Sequence, residues 1–466
     1  MTVRSAIGPA ITDWRRFGAP GFRVFHYLAL CQGVVGVLAG FDVVIPFALA
    51  VGVPPFAAVL LGILPLAGGM AQLVMPRLLD RTDGNLRGLT ILFATIAEPN
   101  GLYFALLAVM VGLGIVHGPL VIVMLATLVG VSSLLRSMVS SNLLTWYSAV
   151  LPEQERRLVV PRMFALSLGI GALLLLPMAM VLDRLVDAVG VLAYALPFAV
   201  SGVLGVAEVF VLRRMRHPGR VIVPPAATKE PDKSAGADTV RDPGARPEFR
   251  AFLRVSALNA LGMGFAPSMS VFIISILGLS AGFSMTVGAI GTLTMVGAAA
   301  FFGARLAHGS SQTMLRHSFW MRAAAMALPL LALPGTMWAP FLMIGTTMLA
   351  SAGFAAGQLS SNERLFRLIQ GPAVVRHHAR YLARTSGAMT VGQTIGAGIL
   401  AVAMPLGYPA FAILYATSST LRVLAFRLSR PAAVLPFTEP EPEPVPPREP
   451  LPAGQTEAAE TVASAA

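Results

Sequence analysis

Long apolar runs alternate with short polar clusters along this chain. Residues 43–76, 163–182, 188–207, 255–304, 323–362 and 385–421 carry no charge, and residues 88–135 carry only Glu98 and His117. An α-helix needs about 20 apolar residues to cross the hydrocarbon core of a bilayer. The runs 255–304, 323–362 and 385–421 are each long enough for two crossings. Their turn signals fall at 278–282, at Pro334 and Gly335, and between Pro405 and Pro409. The pattern predicts an all-α integral membrane protein with twelve transmembrane helices, six on each side of a polar stretch at 213–254. That stretch holds Arg213, Arg214, Arg216, Arg220, Lys229, Lys233 and several prolines. It has too few large apolar residues to offset the entropy of ordering, so a water-exposed linker is expected.

The basic residues orient the helices. Arg4, Arg15, Arg16 and Arg23 precede helix 1, and Arg77, Arg81 and Arg87 fall between helices 2 and 3. Arg156, Arg157 and Arg162 fall between 4 and 5, Arg305, Arg316 and Arg322 between 8 and 9, and Arg364, Arg367, Arg376, Arg380 and Arg384 between 10 and 11. With the linker and both termini, all lie on one side of a twelve-span arrangement, and Arg184 alone lies on the other. Positive charge marks the cytoplasmic face. The expected division is a cytoplasmic lead-in at 1–22, a six-helix half at 23–212, a cytoplasmic linker at 213–252, a second half at 253–428, and a disordered Pro- and Glu-rich tail at 429–466. Trp146 and Trp320 near the inner face, and Trp338 near the outer, are read as an aromatic belt.

Composition narrows the class. The 466 residues are 56% hydrophobic and only 12% charged, with mean hydropathy +0.74. Soluble domains carry about 25% charged residues. A net charge of +12 would suit nucleic acid, but its clustering between apolar runs fits membrane loops instead. Cys31 is the single cysteine, which excludes an internal disulfide and a cysteine metal site. There is no P-loop and no metal-ligand spacing among His308, His317, His377 and His378. No cofactor, metal or enzymatic activity is expected.

A short repeat links the halves. Ser140-Ser141-Asn142 is followed by Pro152 and Arg156, and Ser360-Ser361-Asn362 by Pro372 and Arg376, each at the cytoplasmic end of the fourth helix of its half. Two six-helix halves joined by a basic linker, with both termini inside, resemble the major facilitator superfamily. So does the loop between helices 2 and 3. The family carries a Gly-x-x-x-Asp-Arg-x-Gly-Arg-Arg-like motif there, and Asp80 and Arg81 fall in register with it. Pro76 stands at the first glycine, Gly84 arrives one residue late, and Arg87 stands for the trailing basic pair. In the second half Gly303 keeps the leading glycine and Ala307 replaces the acid. The resemblance implies that Asp80, Arg81 and Arg87 gate the cytoplasmic side. Ordinary topology-setting charge is the competing role, strongest for Arg87.

Ionisable residues inside a membrane are costly and read first as functional. Asp42, late in helix 1, is a candidate proton-binding carboxylate or cation contact; a carboxylate reaching water at the outer interface is the alternative. Glu98 lies mid-helix 3 before Pro99 and Asn100. It reads as a hydrogen-bonded group at a proline kink, or as a proton-exchange site. Arg136 of helix 4 matches Glu98 in depth, so the two can pair; the resemblance implies a role in proton coupling or anion binding, and an arginine snorkelling to the interface is the alternative. It has no counterpart in the second half, where Ala356 stands 220 residues on. Gln32, Asn259 and Gln393 lie on helices that the resemblance places at the cavity, although helix–helix hydrogen bonding is the commoner job for such residues.

The expected function is secondary transport of a small molecule by alternating access in the inner or plasma membrane. The expected partners are a small-molecule substrate, protons and the lipid bilayer, with no nucleic acid, and the expected state is a monomer. Efflux of a largely apolar compound is the preferred direction. Uptake of a nutrient or anion, and a non-transporting sensor or scaffold, are the alternatives.

Overall fold

The computed structural model describes residues 22–151, 153–215, 247–266, 269–306, 310–368 and 374–429. The expectations for the rest of the lead-in, linker and tail, for Pro152, Pro372 and His308, and for the side chains of Asp80, Arg156, Arg376, His377 and His378, lie outside the described residues.

Every described element is helical, and nine stretches among the described residues are long and apolar enough to cross a membrane. The chain is a multi-pass membrane protein. Large apolar side chains such as Leu173, Met180, Phe210 and Val402 are exposed all round the helices. A soluble protein of this size would not leave so much apolar surface uncovered.

The N-terminal set of helices begins with α1 (Arg23–Leu38) and α2 (Phe41–Ala50), followed by α3 (Pro55–Leu61), α4 (Ile63–Met70) and α5 (Met75–Arg81). Then come α6 (Leu86–Ala97), α7 (Asn100–Gly112), α8 (Pro119–Val150), α9 (Glu153–Val189) and α10 (Ala195–Arg214). The first apolar run is thus not one straight helix. It breaks at Gly40, whose extended backbone (ψ 177°) caps α2. The Pro99 kink is present: α6 ends at Ala97 and α7 restarts at Asn100. A proline there removes one backbone donor from the ladder. Gly33 lies against the Ser167 carbonyl of α9, and Gly101 and Gly202 bring α7 and α10 together. Small residues at such crossings let helix backbones touch, which is how helices associate in lipid.

The C-terminal set comprises α11 (Pro247–Phe265), α12 (Met269–Ser275), α13 (Ala281–Leu306), α14 (Ser311–Ala327), α15 (Ala339–Leu368), α16 (Val374–Ala403) and α17 (Tyr408–Leu428). The turn signals are where the sequence puts them. Gly278, Gly335 and Gly407 have φ of 68°, 77° and 66°, which glycine adopts without strain.

Within the N-terminal set, α1 contacts α9 and α10, while α6 contacts α8, and α7 contacts α10. Within the C-terminal set, α11 contacts α16 and α17, while α14 contacts α15 and α17. The seam between the sets is formed mainly by α9 on α13 and by α3 and α4 on α16.

Two expectations are corrected here. Arg316, His317 and Arg322 are not loop residues: α14 starts at Ser311, and Arg322 is buried inside the bundle. Trp146 does not belong to an aromatic belt, because it is fully buried in a core with Tyr147 and Leu143. Trp320 and Trp338 are exposed, as a belt requires.

Candidate functional site

Beside the break between α6 and α7 lies a cavity of about 430 Å3, walled by α1, α2, α4, α7 and α8. Its apolar side is Phe41, Val44, Phe104 and Val129. Its polar side is Asn100, Arg136 and the α8 serines Ser132, Ser133, Ser137 and Ser140. Helical spacing places Ser132, Ser133, Arg136 and Ser140 on one stripe of α8.

Arg136 is held from behind. Its Nη2 lies 3.2 Å from Glu98 Oε2 and donates to Asn100 Oδ1 at 3.2 Å. The proline break brings these two acceptors, on either side of Pro99, to one guanidinium. The sequence placed Glu98 and Arg136 at one depth, and the structure joins them. This is the one ion pair formed among the described residues.

A third charge was not anticipated. Glu208 of α10 is buried, within electrostatic reach of both Glu98 and Arg136, and the Gln32 side chain lies close to it. Its Oε2 has no hydrogen-bond partner among the described residues. Cys31 and Tyr147 are the other groups facing its charge. Gly205, one turn earlier, abuts the Glu98 carbonyl and lets α10 approach closely enough for the cluster to form. The network thus holds two carboxylates and one guanidinium. It carries one surplus negative charge unless a proton is bound, and surplus charge is expensive away from water.

The other expected site residues are dispersed. Asp42 is in the first turn of α2, against Gly288 of α13 at the seam. Gln393 is also at the seam, where its Nε2 donates to the Val59 carbonyl at 3.0 Å. Asn259 is buried in the C-terminal set and its Nδ2 lies 3.8 Å from Met263 Sδ.

Arg81, the last residue of α5, is exposed, and in the loop that follows Asp83 and Gly84 turn the chain with φ of 50° and 72°. Arg87 Nη2 donates to the Arg213 carbonyl at 2.7 Å, so it satisfies a terminal carbonyl of α10 within the N-terminal set. A contact across the seam exists elsewhere. Asp183 of α9 accepts from Ser280 Oγ and from the Gly282 amide, both at 2.7 Å, and so caps the start of α13. A carboxylate on free amides at a helix N-terminus is favourable.

The C-terminal set holds its own buried charges, Arg322 and Arg422. Arg322 Nη2 donates to the Phe354 carbonyl at 3.1 Å, and its side chain fills the space left by Gly353, with the Cγ, and by Gly357, with the guanidinium. Arg422 Nη1 donates to the Arg322 carbonyl at 2.9 Å. Neither has a carboxylate partner among the described residues.

No family model and no curated protein matches the sequence. Solved structures do match in shape. A D-xylose–proton symporter shares 12% identity over 86% of this chain and 95% of its own, with a TM-score of 0.65. A POT family transporter in complex with 5-aminolevulinic acid gives 12%, 88%, 96% and 0.65. The nucleoside transporter NupG gives 12%, 87%, 97% and 0.59. These neighbours are transporters, not enzymes. The chain therefore shares its fold with these membrane transporters.

Proposed function

We propose that the chain is a proton-coupled secondary transporter that moves a small solute by alternating access, with Glu98, Arg136 and Glu208 as its proton-binding centre. The observation that carries this reading is the surplus carboxylate placed directly behind the cavity wall. Proton binding neutralises the cluster and frees Arg136 from one of its two possible acid partners. Arg136 and the serine stripe can then engage or release a solute in the cavity. Coupling of this kind requires only that the protonated and deprotonated clusters prefer different conformations.

The polar wall supports a solute bearing an anionic or hydrogen-bonding group. That favours the nutrient or anion reading over efflux of an apolar compound. Asp42 and Gln393 lie at the seam, where relative motion would change their surroundings. Asn259 lies outside the wall and serves the Arg322 cluster in this reading.

Twelve crossings are part of the same proposal. Counting 55–81 and 311–331 as crossings, and dividing 162–214 at Gly190, brings the nine long stretches to twelve. The repeated contact pattern supports two related halves: α1 with α9 and α10 parallels α11 with α16 and α17. We assign 23–212 and 253–428 to the halves, 213–252 to a cytoplasmic linker, and 1–22 and 429–466 to cytoplasmic ends. The placement is the inner or plasma membrane and the working unit is a monomer. Asp80 and Arg81 would gate the cytoplasmic side, with the Asp183 cap as an opposing latch on the other.

The test has two stages. A thermal-shift screen of purified protein against solute panels identifies a ligand, because binding the folded state raises apparent stability. Flux of that ligand into proteoliposomes is then measured with and without an imposed pH gradient. The reading expects gradient-driven accumulation in the wild type and its loss in Glu208→Gln. Gradient-independent flux, equal in both proteins, would refute proton coupling. A folded protein that binds solutes but never moves them would favour the sensor or scaffold reading.

A further inference from the structure

A second cavity, of about 440 Å3, opens on the outward faces of α14 and α17, lined by Thr313, Arg316, His317, Trp320 and Phe426. That volume is in the range of small-ligand sites, roughly 300–1,000 Å3. It shares no residue with the cavity at Arg136.

The two helices contain no acidic residue, yet they carry Arg316, His317, Arg322, Arg422 and Arg427. Arg322 and Arg422 turn into the bundle. Thr313, His317 and Trp320 are exposed on one outward stripe, at the spacing of successive helical turns. The Arg316 guanidinium lies 5.1 Å over the Phe426 ring, and the Trp320 ring lies 6.0 Å from the same ring. The stacking fixes the plane of Arg316, while its buried Nε has no hydrogen-bond partner among the described residues. Arg316 sits in the second turn of α14 and Phe426 in the last turn of α17. The groove is therefore level with helix ends, where a bilayer has its headgroups. Val423, one turn before Phe426 on the same face of α17, is half-buried and continues the surface as an apolar one.

We propose that this groove binds the headgroup of an anionic phospholipid. The phosphate diester would meet Arg316, His317 and the Thr313 hydroxyl, and the glycerol would lie against Trp320 and Phe426. The acyl chains would lie along the apolar surface of α17. A basic pocket between helices at the bilayer interface, walled by aromatic rings and free of acids, suits a net negative headgroup. A zwitterionic headgroup brings its own cation and gains less. The proposal stands apart from the transport reading, because it concerns the outer surface of the bundle.

The test uses the full chain in neutral detergent, stripped of lipid. Its melting temperature is measured against added phosphatidylglycerol, phosphatidylcholine or inorganic phosphate. The expected result is a saturable rise with phosphatidylglycerol, little change with the other two, and loss of the rise in Arg316→Gln/His317→Gln. An equal response to phosphatidylcholine, or a wild-type response in the double variant, would overturn the site. A rise with phosphate alone would overturn the lipid assignment. A second readout avoids altering the basic residues. Brominated phosphatidylglycerol is expected to quench the Trp320 emission, taken as wild type minus Trp320→Phe, at several-fold lower mole fraction than brominated phosphatidylcholine. Equal quenching by the two lipids contradicts the proposal.

Discussion

The two sets of helices bury charge of opposite sign at corresponding places. In the N-terminal set the residues are Glu98, at the break after α6, and Glu208, in the last two turns of α10. In the C-terminal set they are Arg322 on α14 and Arg422 in the last two turns of α17. Glu208 and Arg422 stand equally far from their helix ends, Arg214 and Leu428. What surrounds them differs. The acids face an arginine from α8 that itself lines a cavity. The arginines face carbonyl oxygens, a methionine sulfur and glycines. An arginine stays charged and satisfies itself with carbonyls, whereas a carboxylate can change its charge by taking a proton. The N-terminal cluster is therefore suited to exchange, and the C-terminal cluster to holding α11, α14, α15 and α17 together.

The comparison can be broken most forcefully at Arg136. Arg136→Gln leaves two buried carboxylates uncompensated. Breaking a buried pair by removing one partner costs on the order of 3–5 kcal/mol. Thermal unfolding in detergent is expected to show a large loss of stability, most of it recovered in Glu98→Gln/Arg136→Gln. A double variant as unstable as the single one would mean that charge balance is not what Arg136 supplies.

Glycine substitutions sharpen the contrast between the sets. A methyl at Gly205 would run into the Glu98 carbonyl, which is backbone and cannot yield. A methyl at Gly357 meets the guanidinium end of Arg322, which can swing. Gly205→Ala is expected to lower the melting temperature clearly more than Gly357→Ala. The reverse order would place the rigid crossing in the wrong set.

Arg322→Met and Arg422→Met strand no carboxylate, so each should cost less stability than Arg136→Gln, roughly 1–3 kcal/mol for lost hydrogen bonds to charged groups. Both variants should retain coupled flux, and a loss of coupling in a well-folded Arg322→Met protein would give the C-terminal cluster a transport role. The smallest effect is expected at Asp183. Asp183→Ala removes the cap of α13, worth about 1 kcal/mol. Its signature is faster labelling of a cysteine introduced at Ser280, with overall stability little changed.

Much of this was legible in the sequence, and the omissions have one cause. Apolar run length located the helices, glycine and proline located the turns at 278, 335 and 407, and residue counting matched Glu98 to Arg136 in depth. Glu208, Arg422 and Asp183 were missed because each charge was taken to end a crossing. The apolar runs stop at Ala207, Leu421 and Leu182, each one residue short of them. Arg322 was missed in mirror image, as the loop charge before a run beginning at Ala323. A charge in the last two turns of a membrane helix looks the same in sequence whether it reaches for water or turns inward. The usable signal was the apolar residues that continue beyond it, Val209 to Leu212 and Val423 to Phe426. The seam contacts of Asp42 and Gln393 join positions hundreds of residues apart or on separate sets, and no local pattern encodes them.

The central claim, that the Glu98–Arg136–Glu208 cluster takes up a proton, can be tested without knowing the solute. Infrared difference spectra of the purified protein in lipid, recorded between acidic and alkaline pH, report protonated buried carboxyl groups directly. A protonated-carboxyl band that titrates in the wild type and disappears in Glu98→Gln/Glu208→Gln is the expected result. A band that is absent from the wild type, or one that persists unchanged in the double variant, would contradict the account.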